Sequence, residues 1–216
     1  MSRKIQPEQT KATILGVSEK LFVEKGYEAT TTQELVDTTG LAKGTIFHHY
    51  KSKEEILAAV LDVNLDRVTQ KIDNRLAEMD CSSAKEKLTW LFDESDSTPD
   101  DETDLLLFKM AITTGSPHII VAGMKKWTEK VSPIIAGIIK AGIEDNSIAT
   151  DFPDECAQLI MLICAVWIDP VTLACDEKSL NKRLRFIQHT MRTLGVDIVS
   201  DDFIANVMKF AEKLYS

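Results

Sequence analysis

Apolar residues recur at three- and four-residue spacing through most of the chain, the period of a buried helix face. Ile14, Val17, Ser18, Leu21 and Phe22 share one side of a helix predicted over about 7–25. Pro7 suits its first turn, Gly26 suits the left-handed residue just past its end, and Lys20 and Lys25 complement its C-terminal dipole. Thr31 followed three residues later by Glu34 is a capping box. It opens a short helix that turns Leu35 and Val36 inward and ends by Thr39, and Gly40 then permits a tight turn. A third helix is predicted over 43–50. Two short helices joined by a glycine turn within about twenty residues make a helix-turn-helix layout, whose second helix is narrow enough for a major groove.

Ser52 and Glu55 repeat the capping box and open a long fourth helix. Ile56, Leu57, Val60, Leu61, Leu65, Val68, Ile72, Leu76 and Met79 carry it to about Asp80. A fifth helix is predicted over 83–92. The stretch 93–104 then holds seven acidic and no basic residues. It lacks the central glycine of a calcium loop and reads as a solvated loop. Another helix follows over about 101–114, with Leu105, Phe108 and Ile112 on one face. From Pro117 onward Ile120, Met124, Trp127, Val131, Ile134 and Ile138 keep helical spacing, and Pro133 is expected to kink or split that run. Residues 154–174 are apolar almost all round, with Ile160, Cys164, Trp167, Val171 and Ala174 on one stripe and Leu159, Ile163 and Val166 on another. Pro170 is expected to kink the last turn or end it early. Leu180, Leu184, Ile187, Met191 and Leu194 form a narrow stripe that stops at Gly195, and a final helix covers 201–215. The pattern predicts an all-α chain: a three-helix head with a helix-turn-helix over 1–52, and a helical-bundle body over 53–216.

Charge sharpens that division. The chain of 216 residues carries a net charge of −9. Residues 1–60 hold eight basic and eight acidic groups, so the other 17 basic and 26 acidic groups account for the whole −9. Up to Lys53 there are eight basic groups against six acidic. A neutral-to-basic head before an acidic body suggests two jobs. The longest apolar run is ten residues, 159–168, where a membrane span needs about 20. With no export signal in view, the chain reads as cytoplasmic and without a membrane partner. Cys81, Cys156, Cys164 and Cys175 form no CxxC pair and have no histidine at ligand spacing, so no metal and no cofactor is expected.

Several residues of the head suit nucleic acid. A helix N-terminus offers free N–H groups and a partial positive charge to a phosphate oxygen, and Thr31 and Ser52 stand at two such ends. Lys43 and Lys53 are long enough for phosphate or guanine acceptors, Thr45 can meet a base edge or a thymine methyl, and Gly44 lets the backbone come close. His48 and His49 are adjacent and point apart on a helix, so they do not read as a metal pair.

The segments Gly26-Tyr27-Glu28-Ala29-Thr30-Thr31, then Gly40-Leu41-Ala42-Lys43-Gly44-Thr45-Ile46-Phe47-His48-His49-Tyr50, then Ser52-Lys53-Glu54-Glu55-Ile56-Leu57 resemble the head of the tetracycline-repressor (TetR) family. The likeness runs without gaps from about Thr13 to Val60. It implies a dimeric, all-helical bacterial transcription regulator, usually a repressor, whose body binds a small molecule and whose last helices build the dimer. It also implies DNA contacts from Thr31, Thr32 and Lys53 at two helix ends, and from Lys43, Gly44, Thr45, Phe47, His48 and His49 on the recognition helix. Two positions depart from the pattern. Phe47 stands where the family usually has a tyrosine, and Ala42 where the recognition helix is often capped by Ser or Thr.

In the body, methionine and tryptophan cluster although aromatic residues are only 6% of the chain. Trp90, Phe108, Met110, Met124, Trp127 and Met161 are therefore expected to line an apolar effector pocket. The two-faced helix and the narrow stripe after it are expected to pair across a two-fold axis, with Ile160, Cys164, Trp167, Leu180, Leu184, Ile187 and Met191 at the interface of a homodimer. The expected partners are a double-stranded DNA operator, a second copy of the chain and an unidentified small effector. Glu-x-x-His, HExxH, GxSxG, Walker and GxGxxG patterns are missing, so the chain does not read as an enzyme. The alternative is a DNA-bound adaptor that answers to a protein partner and has no small-molecule inducer.

Overall fold

A computed structural model describes residues 7–95, 117–168, 173 and 175–215. The helix expected over 101–114, with Phe108 and Met110, lies outside them, as does most of the acidic stretch before it. Among the described residues every regular element is helical, as the spacing predicts. They fall into two compact units. The first holds α1 (Pro7–Lys25), α2 (Thr32–Thr39), α3 (Lys43–His49), α4 (Lys53–Glu78) as far as Val68, and residues 117–123 at the start of α6 (Pro117–Glu144). The second holds the rest of α4 and α6, with α5 (Ala84–Ser95), α7 (Pro153–Leu162), α8 (Glu177–Thr193) and α9 (Asp201–Tyr215). The division falls within α4, whereas the sequence pattern places it at 52/53. Ile56, Leu57 and Val60 of α4 are core residues of the first unit, so that helix begins inside the head.

In the first unit, α1 buries Ile14, Ser18, Leu21 and Phe22 on the face that the spacing predicts. Ser18 is tolerated there because its hydroxyl donates to the Ile14 carbonyl at 2.7 Å. These residues pack with Leu35 of α2, Ile46 of α3, Tyr50 and the start of α4 into one cluster, which Ile119 joins. Leu35, Ile46 and Leu57 are each fully removed from water, a gain of about 1.5–3 kcal/mol apiece. An ion pair between Arg67 and Glu19 also ties α4 to α1.

In the second unit, α5 is capped from elsewhere in the chain. The Asp145 carboxylate accepts the Ala84 N–H at 2.7 Å, and the Ser147 hydroxyl accepts the Lys85 N–H at 3.1 Å. α5 also runs on to Ser95, three residues into the acidic stretch that was expected to be loop. α6 passes through Pro133 without a break, so the expected split does not occur. An interior proline costs about 3 kcal/mol or more. Val131, Ser132, Ile135, Ala136 and Ile139 are buried around it, and the four apolar ones together outweigh that cost.

The helix expected over 154–174 is also corrected. Its regular part ends at Leu162 and widens into a π-turn over Ile163–Trp167, closed by the Ile168 N–H on the Ile163 carbonyl at 3.1 Å. The end comes just before Pro170, which restricts the backbone ahead of it. Arg183 of α8 donates to the carbonyls of Trp167 and Leu173 at 2.7 and 2.9 Å, satisfying acceptors that a continued helix would have bonded. α8 opens at Asp176, whose carboxylate accepts the Ser179 N–H at 2.7 Å, and it packs on α9. Gly195 then turns the chain at φ +78, and its carbonyl accepts the Ala149 N–H at 3.2 Å. No helix of the described residues is long and apolar enough to cross a membrane.

Candidate nucleic-acid interface

The site is the outer side of α2 and α3, held by the core beneath it. Thr31 is the N-cap of α2, with both arms of the capping box formed. Its hydroxyl oxygen accepts the Glu34 N–H at 3.2 Å, and the Glu34 carboxylate accepts the Thr31 N–H at 2.9 Å. The same carboxylate accepts the Lys25 ammonium at 2.6 Å. The Lys25 bond first, and then the Thr31 N–H and hydroxyl, pull the Glu34 carboxyl down to about 2. The N-terminus of α2 is thus fixed by charged as well as neutral bonds, with Thr31 exposed and Thr32 half-buried. At its other end Gly40 takes φ +66 and donates its N–H to the Val36 carbonyl at 3.0 Å. That left-handed residue lets the chain turn within three residues into α3.

α3 is amphipathic over two turns. Ile46 is fully buried, and Tyr50 just past the helix is buried as well. Lys43, Gly44 and His48 are exposed, while Thr45, Phe47 and His49 are half-buried. The Lys43 ammonium lies 5.9 Å from the centre of the Phe47 ring one turn on, which keeps cation and ring on one side. His48 and His49 meet edge to face at 5.6 Å between centroids, His48 being the more exposed. Ala42 gives no side-chain cap, as its residue type requires, and its carbonyl alone accepts the Thr45 N–H at 2.8 Å. No acidic side chain lies on α3, so its outward face is cationic and aromatic.

The start of α4 follows the predicted box with one change. The Ser52 hydroxyl accepts the Glu55 N–H at 3.1 Å, but the Glu55 carboxylate reaches back to the Lys51 N–H at 2.5 Å. Lys53 does not face outward with the others. Its ammonium donates to the carbonyls of Tyr27 and Thr30 at 2.7 and 2.9 Å. Spacing along the chain gives no signal of that contact, because the partners lie 26 and 23 residues away.

The structure gathers Thr31, Thr32, Lys43, Gly44, Thr45, Phe47, His48 and His49 on the α2–α3 segment; of the expected pocket residues, Phe108 and Met110 lie outside the described residues. Trp90, Met124 and Trp127 are half-buried and Met161 is buried. An apolar cavity of about 20 Å³ lies among Phe92, Ile160, Cys164, Ile187, Met191 and Phe203, and none of Trp90, Met124, Trp127 and Met161 lines it. That volume is near one water. The expected interface residues divide by burial, with Cys164 and Trp167 half-buried. Leu180, Leu184, Ile187 and Met191 are buried within their own chain, as is Ile160, because α9 and α7 cover them. On α7 and α8 themselves the exposed large apolar groups are Leu159, Leu162 and Phe186, the last at 58% exposure, with half-exposed Trp167 set edge to face on Phe186 at 5.6 Å.

Two short helices on a glycine turn, with a cationic outer face over an apolar core, define a helix-turn-helix protein. Residues 14–60 match the family of bacterial regulatory proteins named tetR, so the head is similar to that family's DNA-binding domain. The chain is 34% identical over 91 residues to the transcriptional repressor KstR2 of Mycolicibacterium smegmatis, covering 40% of this chain and 42% of that protein. It is 32% identical over 84 residues to the transcriptional regulator QacR of Staphylococcus aureus, covering 39% and 43%. These matches span less than half the length of those two relatives. The whole fold is similar to that of RolR in complex with resorcinol, with a TM-score of 0.67, 15% identity and coverage of 95% and 96%. It is also similar to FadR of Bacillus subtilis in complex with stearoyl-CoA, with a TM-score of 0.58, 17% identity and coverage of 91% and 97%.

Proposed function

We propose that this protein is a sequence-specific DNA-binding transcription regulator, a repressor that a small, largely apolar effector releases from its operator. The observation that carries the reading is the outward set of Lys43, Gly44, Thr45, Phe47 and His48 on a short helix whose opposite side is locked into the core by Ile46. In this reading Thr31 and Thr32 place the head on a phosphate at the N-terminus of α2, and α3 lies in the major groove. Lys43 and Thr45 meet base edges. The Phe47 ring has no hydroxyl for a phosphate and packs on sugar or a thymine methyl. His48 and His49 lie at the far end of the same helix.

The protein acts as a homodimer, because one head makes only half the contacts of a two-fold operator. Its interface is the exposed apolar face of α7, the π-turn and α8, with Phe186, Leu162, Leu159 and Trp167 at the centre. An effector has only to favour a dimer whose heads are wrongly spaced. Coupling of about 1–3 kcal/mol, roughly 5–150-fold in operator affinity, is typical of such linkage. Stearoyl-CoA and resorcinol are the molecules bound by two proteins of similar fold, and both carry apolar surface. Asn64 supports a polar handle for the effector on α4. It is 7% exposed, and its side-chain oxygen has no hydrogen-bond partner among the described residues.

Titration of wild type and variants on a selected duplex and on random duplexes tests the reading. Lys43→Ala and Thr45→Ala should each weaken binding to the selected duplex by about 1–3 kcal/mol. Thr45→Ala should leave random-duplex binding nearly unchanged. Equal losses on both DNAs would remove Thr45 from base reading. For the effector, a lipophilic compound panel should contain members that raise the melting temperature and weaken operator binding together.

A further inference from the structure

The outer faces of α7 and α8 share one layout with opposite charge. On α7, Glu155, Leu159 and Leu162 are exposed at helical spacing, away from buried Cys156, Ala157, Ile160 and Met161. On α8, Lys178, Lys182, Phe186 and His189 are exposed at the same three- and four-residue spacing, opposite buried Leu180, Leu184, Ile187 and Met191. Each face begins charged and turns apolar, acidic first on α7 and basic first on α8. Neighbouring charges are occupied or turned aside. Asp154 is bound by Lys140 at 2.8 Å, Asp176 accepts the Ser179 N–H, and Arg185 pairs with Asp201. Glu177 is exposed too, but it stands about 100° round the helix from Lys178. Glu155 and Lys182 have no salt bridge among the described residues.

Within one protomer these two helices run antiparallel. The Ala149 N–H, ahead of α7, bonds the Gly195 carbonyl, past the end of α8, at 3.2 Å. The Trp167 carbonyl, beyond α7, accepts Arg183 in the first half of α8 at 2.7 Å. A two-fold axis across the helices reverses both directions in a second copy, so α7 of one protomer runs parallel to α8 of the other. Their N-terminal ends then come together. Glu155 to Leu159 and Lys182 to Phe186 are each about one turn, roughly 6 Å. One register therefore sets Lys182 against Glu155 and Phe186 against Leu159. Two chains of net charge −9 repel each other, and α8 packed on α8 would oppose two basic faces, whereas this register joins unlike charges.

We infer that Glu155 of one protomer and Lys182 of its partner form an ion pair across the homodimer, made twice by symmetry, and that this pair selects a second copy of the chain as the partner and fixes the register in which Phe186 meets Leu159. The inference rests on the interface proposed above on α7, the π-turn and α8. It adds what the apolar groups do not supply. Leu159, Leu162 and Phe186 pack on any apolar face of matching shape, while the charges admit only a face with the opposite sign at the matching turn.

Charge reversal in the full chain decides it, read by sedimentation at low salt. Glu155→Lys and Lys182→Glu each place like charges together twice per dimer, so the dissociation constant of each homodimer should rise by roughly tenfold or more. Mixed in equal amounts, the two variants should recover wild-type affinity, because both pairs of the mixed dimer again join unlike charges. The chain carrying both reversals should dimerise with itself and pair poorly with wild type. Both side chains are exposed, so circular dichroism should show wild-type helicity in every variant. If a reversal does not fold, Glu155→Gln and Lys182→Gln replace it: added salt should weaken the wild-type dimer and affect theirs less. Reversals that leave the dimer unchanged, or that weaken it without recovery in the mixture, would overturn the pairing and leave the dimer itself standing. So would equal salt dependence in wild type and the two glutamine variants. A wild type that sediments as a monomer would end both the pairing and the dimer reading.

Discussion

Glu34 shows how much of the head rests on single side chains. Its carboxylate takes the Lys25 ammonium, the Thr31 N–H and the Thr31 hydroxyl, and these hold its pKa at about 2. A carboxyl whose folded pKa lies below its unfolded one stabilises the fold in full above the unfolded value and loses that contribution as pH falls through the folded one. Glu34→Gln should therefore lower the melting temperature at neutral pH, and the gap to wild type should close as pH falls from 4.5 to about 2. A gap that stays constant over that window would show that the charge is not what matters. Gly195 is a second such position. A Cβ there would stand 1.8 Å from the Ala149 carbonyl oxygen, at a backbone of φ +78. Gly195→Ala should cost more than the about 1–2 kcal/mol of left-handed backbone alone, read by urea unfolding. Asn64 works in the opposite sense. Removing a buried amide whose oxygen has no partner among the described residues should stabilise, so Asn64→Leu should raise the unfolding free energy by about 1–2 kcal/mol and blunt the effector response. A lower stability would mean that the amide has a donor.

The helices of the head were legible because their signals are local. Thr31 with Glu34, Gly40, and the buried spacing of Ile14, Ser18, Leu21 and Phe22 lie within a few residues of what they determine. Contacts between distant segments left no such trace. Asp145 caps α5 across 61 residues, and Lys53 reaches the α1–α2 turn across 23 to 26. Pro133 reads as a break because a missing N–H is visible in sequence and the burial that compensates for it is not. The stripe on α8 was legible as a buried face, but not which chain buries it. Leu184 now belongs to the protomer core and Phe186 to the outer face. That distinction is measurable. Leu184→Ala should cost about 2–5 kcal/mol of folding free energy, while Phe186→Glu should leave the protomer folded and move sedimentation to the monomer. A Phe186→Glu protein that stays dimeric would put the interface elsewhere.

The chain as a whole divides its chemistry unevenly. The acidic body gives a net charge of −9 and would repel DNA if charge were all that mattered, while residues up to Lys53 carry eight basic groups against six acidic. On the proposed function, affinity comes from a small area of the head used twice in a dimer, and specificity from the side chains of α3 assigned to base edges. A two-fold dimer then requires an operator of matching symmetry, with half-site centres about 34–36 Å apart or a multiple of that. Selection of bound duplexes from a random pool by the full-length protein, followed by sequencing, reads this out in one step. The expected result is an inverted repeat at that spacing, whose enrichment Thr45→Ala relaxes at defined bases within each half. A bound pool with no enriched sequence, or one left unaltered by both Thr45→Ala and Lys43→Ala, would contradict the assignment of α3 as the element that reads DNA.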